Sequence, residues 1–176
     1  LTLMKTSADS LKKSADALND SSLWEKKKIK KKDEKTGEEI EVEDYDWDKI
    51  TKAVKSFVED YNDVVREAGE SNTKDVLRNA SWMTGMTDKN SNMLAQIGIT
   101  IGKGNKLELD EDALKQADIS SLKTVFTGYN SFVSKISQKA TGISNAANRA
   151  SATYTNNGTY SKTDSSLTSS KIDKEV

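Results

Sequence analysis

Asp44, Asp46 and Asp48 alternate with Tyr45 and Trp47, which is how an EF-hand loop begins to gather oxygen ligands for calcium. Such a loop needs glycine at its sixth place and a bidentate glutamate at its twelfth; here those places hold Lys49 and Lys55. Calcium chemistry is therefore not expected, and Asp46 reads instead as the N-cap of a following helix. GKGN, from Gly102 to Asn105, has the glycines of a phosphate-cradling loop but neither the lysine–threonine of a P-loop nor dinucleotide-binding spacing. It reads as a hairpin turn, where glycine supplies positive φ. Asp110, Glu111 and Asp112 would be the carboxylates of an acid–base pair, but no base or pocket signal accompanies them, and Asp110 reads as another N-cap. The chain contains no cysteine and no histidine, which removes disulfides, thiolate nucleophiles, Cys/His zinc sites and imidazole bases together. No catalytic residue, cofactor or metal is expected, and the chain is not read as an enzyme.

Between Glu25 and Glu43, seven lysines face seven acids, so a stretch that looks polybasic is locally neutral. Folded about Lys35, it becomes a charge-paired hairpin with Lys32 opposite Glu38, Lys31 opposite Glu39 and Lys27 opposite Glu43, each pair adding about 0.2 to 1 kcal/mol. Phosphate binding would leave the acids without a role. With a net charge of -1, the whole chain has no field that calls for nucleic acid or an anionic membrane. No apolar run approaches the roughly 20 residues of a membrane helix, and nothing at the start resembles a signal peptide. The sequence opens on Leu1 rather than methionine, so a fragment of a longer chain is expected.

What must position any surface of this chain is helical. Only 34% of the 176 residues are hydrophobic and 31% are charged, which fills the narrow seam of a rod more readily than the interior of a sphere. Proline is absent, consistent with long uninterrupted helices. Residues 1–23 carry Met4, Ala8, Leu11, Ala15 and Leu18 in alternating steps of four and three, the pattern of a coiled-coil seam. A second segment repeats it through Trp47, Ile50, Val54, Phe57, Tyr61, Val64 and Ala68, with Val58 and Val65 widening the stripe. Asp46 starts that helix and Gly69 ends it, at a length of roughly 33 Å from Trp47 to Ala68. A third, over 129–155, runs through Tyr129, Val133, Ile136, Ala140, Ile143, Ala147, Ala150 and Tyr154, its core turning small toward the end. The bland reading is that the three stripes pack on each other; the functional one is that part of the seam pairs with another subunit. Trp82 is expected to anchor the core from a short helix over 73–84.

In LAQIGITIGKGNKLELDEDAL, residues 94–114, Ile99 and Ile101 alternate with polar neighbours, a glycine turn follows, and Leu107 and Leu109 alternate again before Asp110 caps a helix over 110–118. The fold class is mainly α: an elongated antiparallel helical bundle or coiled coil with one or two small β-hairpins. Residues 24–45 form the charge-paired connection and 156–176, rich in Ser, Thr and Asn, a flexible polar tail.

Three stretches in order, DWDKITKAVKSFVEDYND at 46–63, LAQIGITIGKGNKLELDEDAL at 94–114 and LKTVFTG at 122–128, resemble the C-terminal region of the flagellar filament-cap family, hook-associated protein 2. The residues carrying the resemblance are Phe57, Val58, Tyr61 and Asn62; Leu94, Ile97, Gly98 and Ile99; Leu107, Leu109, Asp110, Glu111 and Leu114; and Val125, Phe126 and Gly128. It covers 46 to about 135, so 46–128 is the hook-associated-like region. The family places large β-rich head domains where this chain has only the hairpin from about Trp24 to Tyr45, which implies a reduced form. The resemblance further implies a structural protein of the bacterial flagellum, extracellular and exported without a cleaved signal peptide, assembling at the filament tip or hook–filament junction. Flagellin, junction proteins and a second copy of the chain are the partners the resemblance implies. A secreted helical adhesin or effector with the rod as a stalk is the competing expectation.

Overall fold

The computed structural model describes residues 2–158. Helix α1 (Thr2–Leu18) is followed by a short 3-10 turn (Ser21–Trp24) and an antiparallel hairpin of β1 (Lys27–Lys32) and β2 (Glu39–Asp44). Helices α2 (Trp47–Gly69) and α3 (Lys74–Lys89) come next, then α4 (Ser91–Ala95), a second hairpin of β3 (Ile99–Ile101) and β4 (Leu107–Leu109), α5 (Glu111–Gln116), α6 (Ile119–Phe126) and α7 (Phe132–Gly158). The protein is thus mainly α with two small two-stranded sheets. No helix among the described residues is long and apolar enough to cross a membrane.

The periodic stripes become the core. Met4, Ala8, Leu11, Ala15 and Leu18 of α1 are all at most 4% exposed, and Ile50, Val54, Phe57, Tyr61 and Val64 of α2 are fully buried. Helix α1 packs against both α2 and α7, and α3 covers the remaining side of α2 and α7. Each large aliphatic or aromatic side chain taken from water contributes about 1.5 to 3 kcal/mol, so this seam is the main source of stability. Large rings gather at one end, where Phe57 meets Phe132 at 6.3 Å and Tyr61 at 6.2 Å. Towards the other end of α7 the core turns small, with Ala140, Ala146 and Ala147 around a single large residue, Ile143. Trp47, which opens the α2 stripe, is half-buried with its ring edge-on to Tyr45 at 6.2 Å.

Local chemistry starts the helices where capping residues stand. Asp46 accepts from the Lys49 amide and Asp110 from the Ala113 amide, satisfying donors that a first helical turn leaves open. Ser131 does the same for α7 by accepting from Ser134.

Three expectations are corrected. The charged hairpin is shifted by one residue: Lys32 pairs with Glu39, Lys28 with Glu43 and Lys27 with Asp44, and Lys31 opposes Ile40 while its ammonium bonds Asp44. The loop centres between Lys35 and Thr36 rather than on Lys35, because Gly37 takes the left-handed conformation (φ +74°) and the Asp33 amide closes it onto the Glu38 carbonyl. Tyr129 is not on the seam but in the turn before α7, 86% exposed, because Gly128 (φ +103°) and the Ser131 cap delay the helix to Phe132. Trp82 does not anchor the core: α3 runs on to Lys89 and buries Val76, Ala80, Met83 and Thr87, leaving Trp82 on the flank beside α7 at 54% exposure. The side chain of Tyr154 and the residues after Gly158, including most of the polar tail, lie outside the described part.

Candidate functional site

The seam carries polar pairs at heptad spacing on both flanks of α1. Toward α7, the Ser144 hydroxyl donates to Asp9 at 2.6 Å and the Ser137 hydroxyl to Asp16 at 2.7 Å. Toward α2, the Ser7 hydroxyl donates to Glu67 at 2.7 Å, and one heptad on Ser14, whose hydroxyl donates to the Leu11 carbonyl at 3.2 Å, stands near enough to Asp60 to exert a downward pull on its carboxyl. On each flank the partners run backward along the neighbouring helix as α1 runs forward, so both contacts are antiparallel. A slip of one turn would break all three hydrogen bonds at once. Polar pairs of this kind beside an apolar seam specify register, which apolar contacts alone leave degenerate.

Their titration gives a test. Hydrogen bonds from Lys5 and then Ser144 hold the Asp9 carboxyl below its ordinary value. At Asp16 burial pushes upward, but the bonds from Lys12 and Ser137 outweigh it and the net shift is downward. Burial raises Asp60, with Asp63 and Glu59 adding to the rise and Ser14 opposing it. A carboxyl lowered in the folded state contributes stability that is present above the unfolded pKa of 3.8 and is lost as pH falls through the folded value. Asp60 acts in reverse: stability falls as pH rises from 3.8 through its folded value. We therefore expect the urea midpoint to drop on acidification below that pH, and the drop to be shallower in Ser137→Ala/Ser144→Ala. Asp60→Asn should remove the opposing slope above it. An acid limb unchanged in the double variant would show that the serines do not hold these carboxylates. Because Asp9 and Asp16 are about half exposed, solvent screening keeps each effect small.

Two asparagine side chains clamp the rest of the chain to the bundle. Asn62, on α2, accepts from the Leu107 amide at 2.7 Å and donates to the Leu107 carbonyl at 2.9 Å, pinning β4. Asn19, just after α1, accepts from the Gly128 amide at 2.8 Å and donates to its carbonyl at 3.2 Å, pinning the turn before α7. Asn62→Ala would strip both partners from a buried strand residue, at an expected cost of about 2 kcal/mol. Faster hydrogen exchange at the Leu107 amide would check it; unchanged exchange would mean that the hairpin is held elsewhere.

The pinned hairpin brings most motif residues together. Ile97 and Ile99 are fully buried, Leu107 nearly so, and Leu109 packs on the same core from a half-buried position. Ile99 pairs with Leu109 and Ile101 with Leu107, and Asp110 caps α5. Gly98 takes φ +91° and its carbonyl accepts from the Asp110 amide at 2.8 Å. Phe126 is fully buried and stacks on Trp24. Tyr61 donates to Thr87 at 2.8 Å, and burial, with Thr87 opposing and Asp88 adding, pushes its hydroxyl up to about 12. Along the seam, Leu11, Leu18, Ile50, Val54, Phe57, Val64, Val133, Ile136 and Ile143 are fully buried, so they hold this chain together and offer no free face. Among the described residues no group of three or more acidic side chains comes together as a metal site.

The family model for the C-terminus of flagellar hook-associated protein 2 matches residues 68–175, more than half of the chain. This chain belongs to that family. Comparison with the curated proteins and with the solved structures finds no match. The hook-associated protein 2 match begins at the end of α2 and takes in α3 to α7 and both strands of the second hairpin. Ile97, Gly98, Ile99, Leu107, Leu109, Asp110 and Phe126 thus fall inside it, while Phe57, Val58, Tyr61 and Asn62 fall before it. It also extends beyond position 135, where the resemblance was read to end, through the polar C-terminal stretch. The family is one of structural flagellar proteins.

Sequence reasoning missed Trp24, Phe132, Asn19 and the seam serines, and it singled out Asn62 as a motif residue without its clamping contact. Trp24 had a signal, an isolated large ring at the edge of a charged run. For the serines the signal was their heptad spacing, which a search for apolar residues passes over.

Proposed function

We propose that this chain is a filament-cap-like structural component of the bacterial flagellum, acting by protein–protein assembly at the filament tip or hook–filament junction. The observation that carries the reading is the family match over residues 68–175. A register-locked helical bundle suits the role, since a part that transmits position along a filament needs helices that cannot slide. Export to the cell exterior and contact with flagellin and junction proteins belong to the same reading, as does pairing with a second copy.

The test is a pulldown from sheared filaments and growth medium with the whole chain as bait. Retention of flagellin or junction proteins is expected, and its loss in the Phe57→Asp/Tyr61→Asp control, which removes the core, would show that retention needs the fold. A folded, helical bait that retains neither would overturn the reading and favour a stalk for another secreted protein.

A further inference from the structure

Trp82 stands on the flank of α3 beside α7, 54% exposed, and Leu77 is 40% exposed on the same helix. A single exposed leucine is ordinary, but an exposed tryptophan beside a groove is the composition of a binding hot spot. A groove of about 690 Å³ lies there between α3 and α7. Trp82, Gly85 and Met86 line it from α3 and Lys135 and Lys139 from α7, with Lys89 adding a third ammonium group. Around Gly85 there is open space where a Cβ would project, so no side chain fills the groove at that point.

Charge says what fits. Among the described residues, no carboxylate lies within ion-pair distance of Lys89, Lys135 or Lys139; most lysines of this chain share that, and what sets these three apart is that they converge on one groove. Lys139 instead sits 4.7 Å from the centroid of the Trp82 ring, which gives it a partial substitute for an anion. A chain of net charge -1 thus keeps three uncompensated cations around one aromatic floor. From these observations we propose that the α3/α7 groove docks an acidic amphipathic helical segment of a partner protein.

An aliphatic anchor would fill the space over Gly85 against Trp82 and Met86, and carboxylates one turn either side would reach the three lysines. Displacing Lys139 from the ring by that anchor frees its ammonium for a carboxylate. The apolar floor favours a peptide over nucleic acid, whose phosphates need a longer run of cations than three lysines provide. The inference stands on the groove and does not depend on the flagellar reading.

The probe is a synthetic amphipathic peptide with leucine at helical spacing and glutamate elsewhere, compared with a version carrying lysine in place of glutamate. Binding to the whole chain is followed by calorimetry and by the NMR signal of the Trp82 indole N–H, with Trp24 as the buried internal reference. Saturable binding of the acidic peptide that shifts the Trp82 signal is expected, weakened about tenfold or more by Lys135→Glu/Lys139→Glu and by added salt. Trp82→Ala, at an exposed site, should keep native helicity and lose binding; the lysine variant keeps the question answerable if it does not fold. Equal binding of both peptides, binding indifferent to the lysines, or no binding would overturn the proposal. So would tighter binding of a single-stranded oligonucleotide, or self-association through Trp82 that the acidic peptide does not displace.

Discussion

Trp24→Ala should cost the folded chain about 4 kcal/mol, near the upper end of what a buried large-to-small change removes. Trp24 is 2% exposed, its ring lies 5.5 Å from that of Phe126 at an interplanar angle of 10°, and its indole N–H donates to the Leu18 carbonyl at 2.7 Å. That carbonyl belongs to the last turn of α1, where no helical partner is available, so the indole also acts as a C-terminal cap. One side chain therefore ties the end of α1, the base of the charged hairpin and α6 together. Urea unfolding followed by circular dichroism would measure the loss. A double-mutant cycle with Phe126→Leu should return a coupling of about 0.5 to 1.5 kcal/mol for the ring pair. A loss below about 1 kcal/mol would mean that the hairpin base is not part of the cooperative core.

Gly98→Ala is the second large effect, at about 3 kcal/mol. A Cβ there would meet the Asp110 carbonyl oxygen at 2.7 Å and the Leu114 nitrogen at 3.0 Å. Those atoms form the first hydrogen-bonded turn of α5, so the neighbour that would have to move is backbone, not a flexible side chain. Left-handed backbone at φ +91° adds about 1 to 2 kcal/mol for a residue with a Cβ, and forced repacking about 1 to 3. Gly37→Ala is the natural control, since Gly37 has φ +74° but nothing within 4 Å of its Cβ position. That variant should lose only the conformational part, about 1 kcal/mol, and lower the unfolding midpoint less than Gly98→Ala does. Equal losses at the two glycines would show that the contact with α5 is not what constrains Gly98.

Much of this architecture was legible in the sequence because it depends on short-range regularities. Apolar residues at alternating steps of four and three placed Met4 to Leu18, Ile50 to Ala68 and Val133 to Ala147 on buried lines, since helix geometry alone puts those positions on one face. Capping by Asp46 and Asp110 needs only an amide three residues ahead, and the Ile99–Leu109 pairing needs only alternation around a glycine turn. The flagellar family was also legible, in ordered motifs of which those from Leu94 onward lie within the match.

Tertiary structure decided what depends on partners distant along the chain. Trp24 and Trp82 have the same hydrophobicity, yet one is a capping core ring and the other an exposed one, because Phe126 and the end of α1 cover the first while α3 spends its buried face on Val76, Ala80 and Met83. Tyr129 continued the heptad arithmetic, but Gly128 in left-handed backbone, held by Asn19 from the far end of α1, placed it in a turn. The hairpin's register hung on which residue took positive φ, so Gly37 moved every cross-strand charge pair by one. The serine–carboxylate ladder and the Asn62 clamp join residues between 45 and 135 positions apart, and no local propensity records such pairings. Periodicity and capping chemistry thus told which face of each element is apolar and where the element starts, and the packing of distant segments told what that face meets.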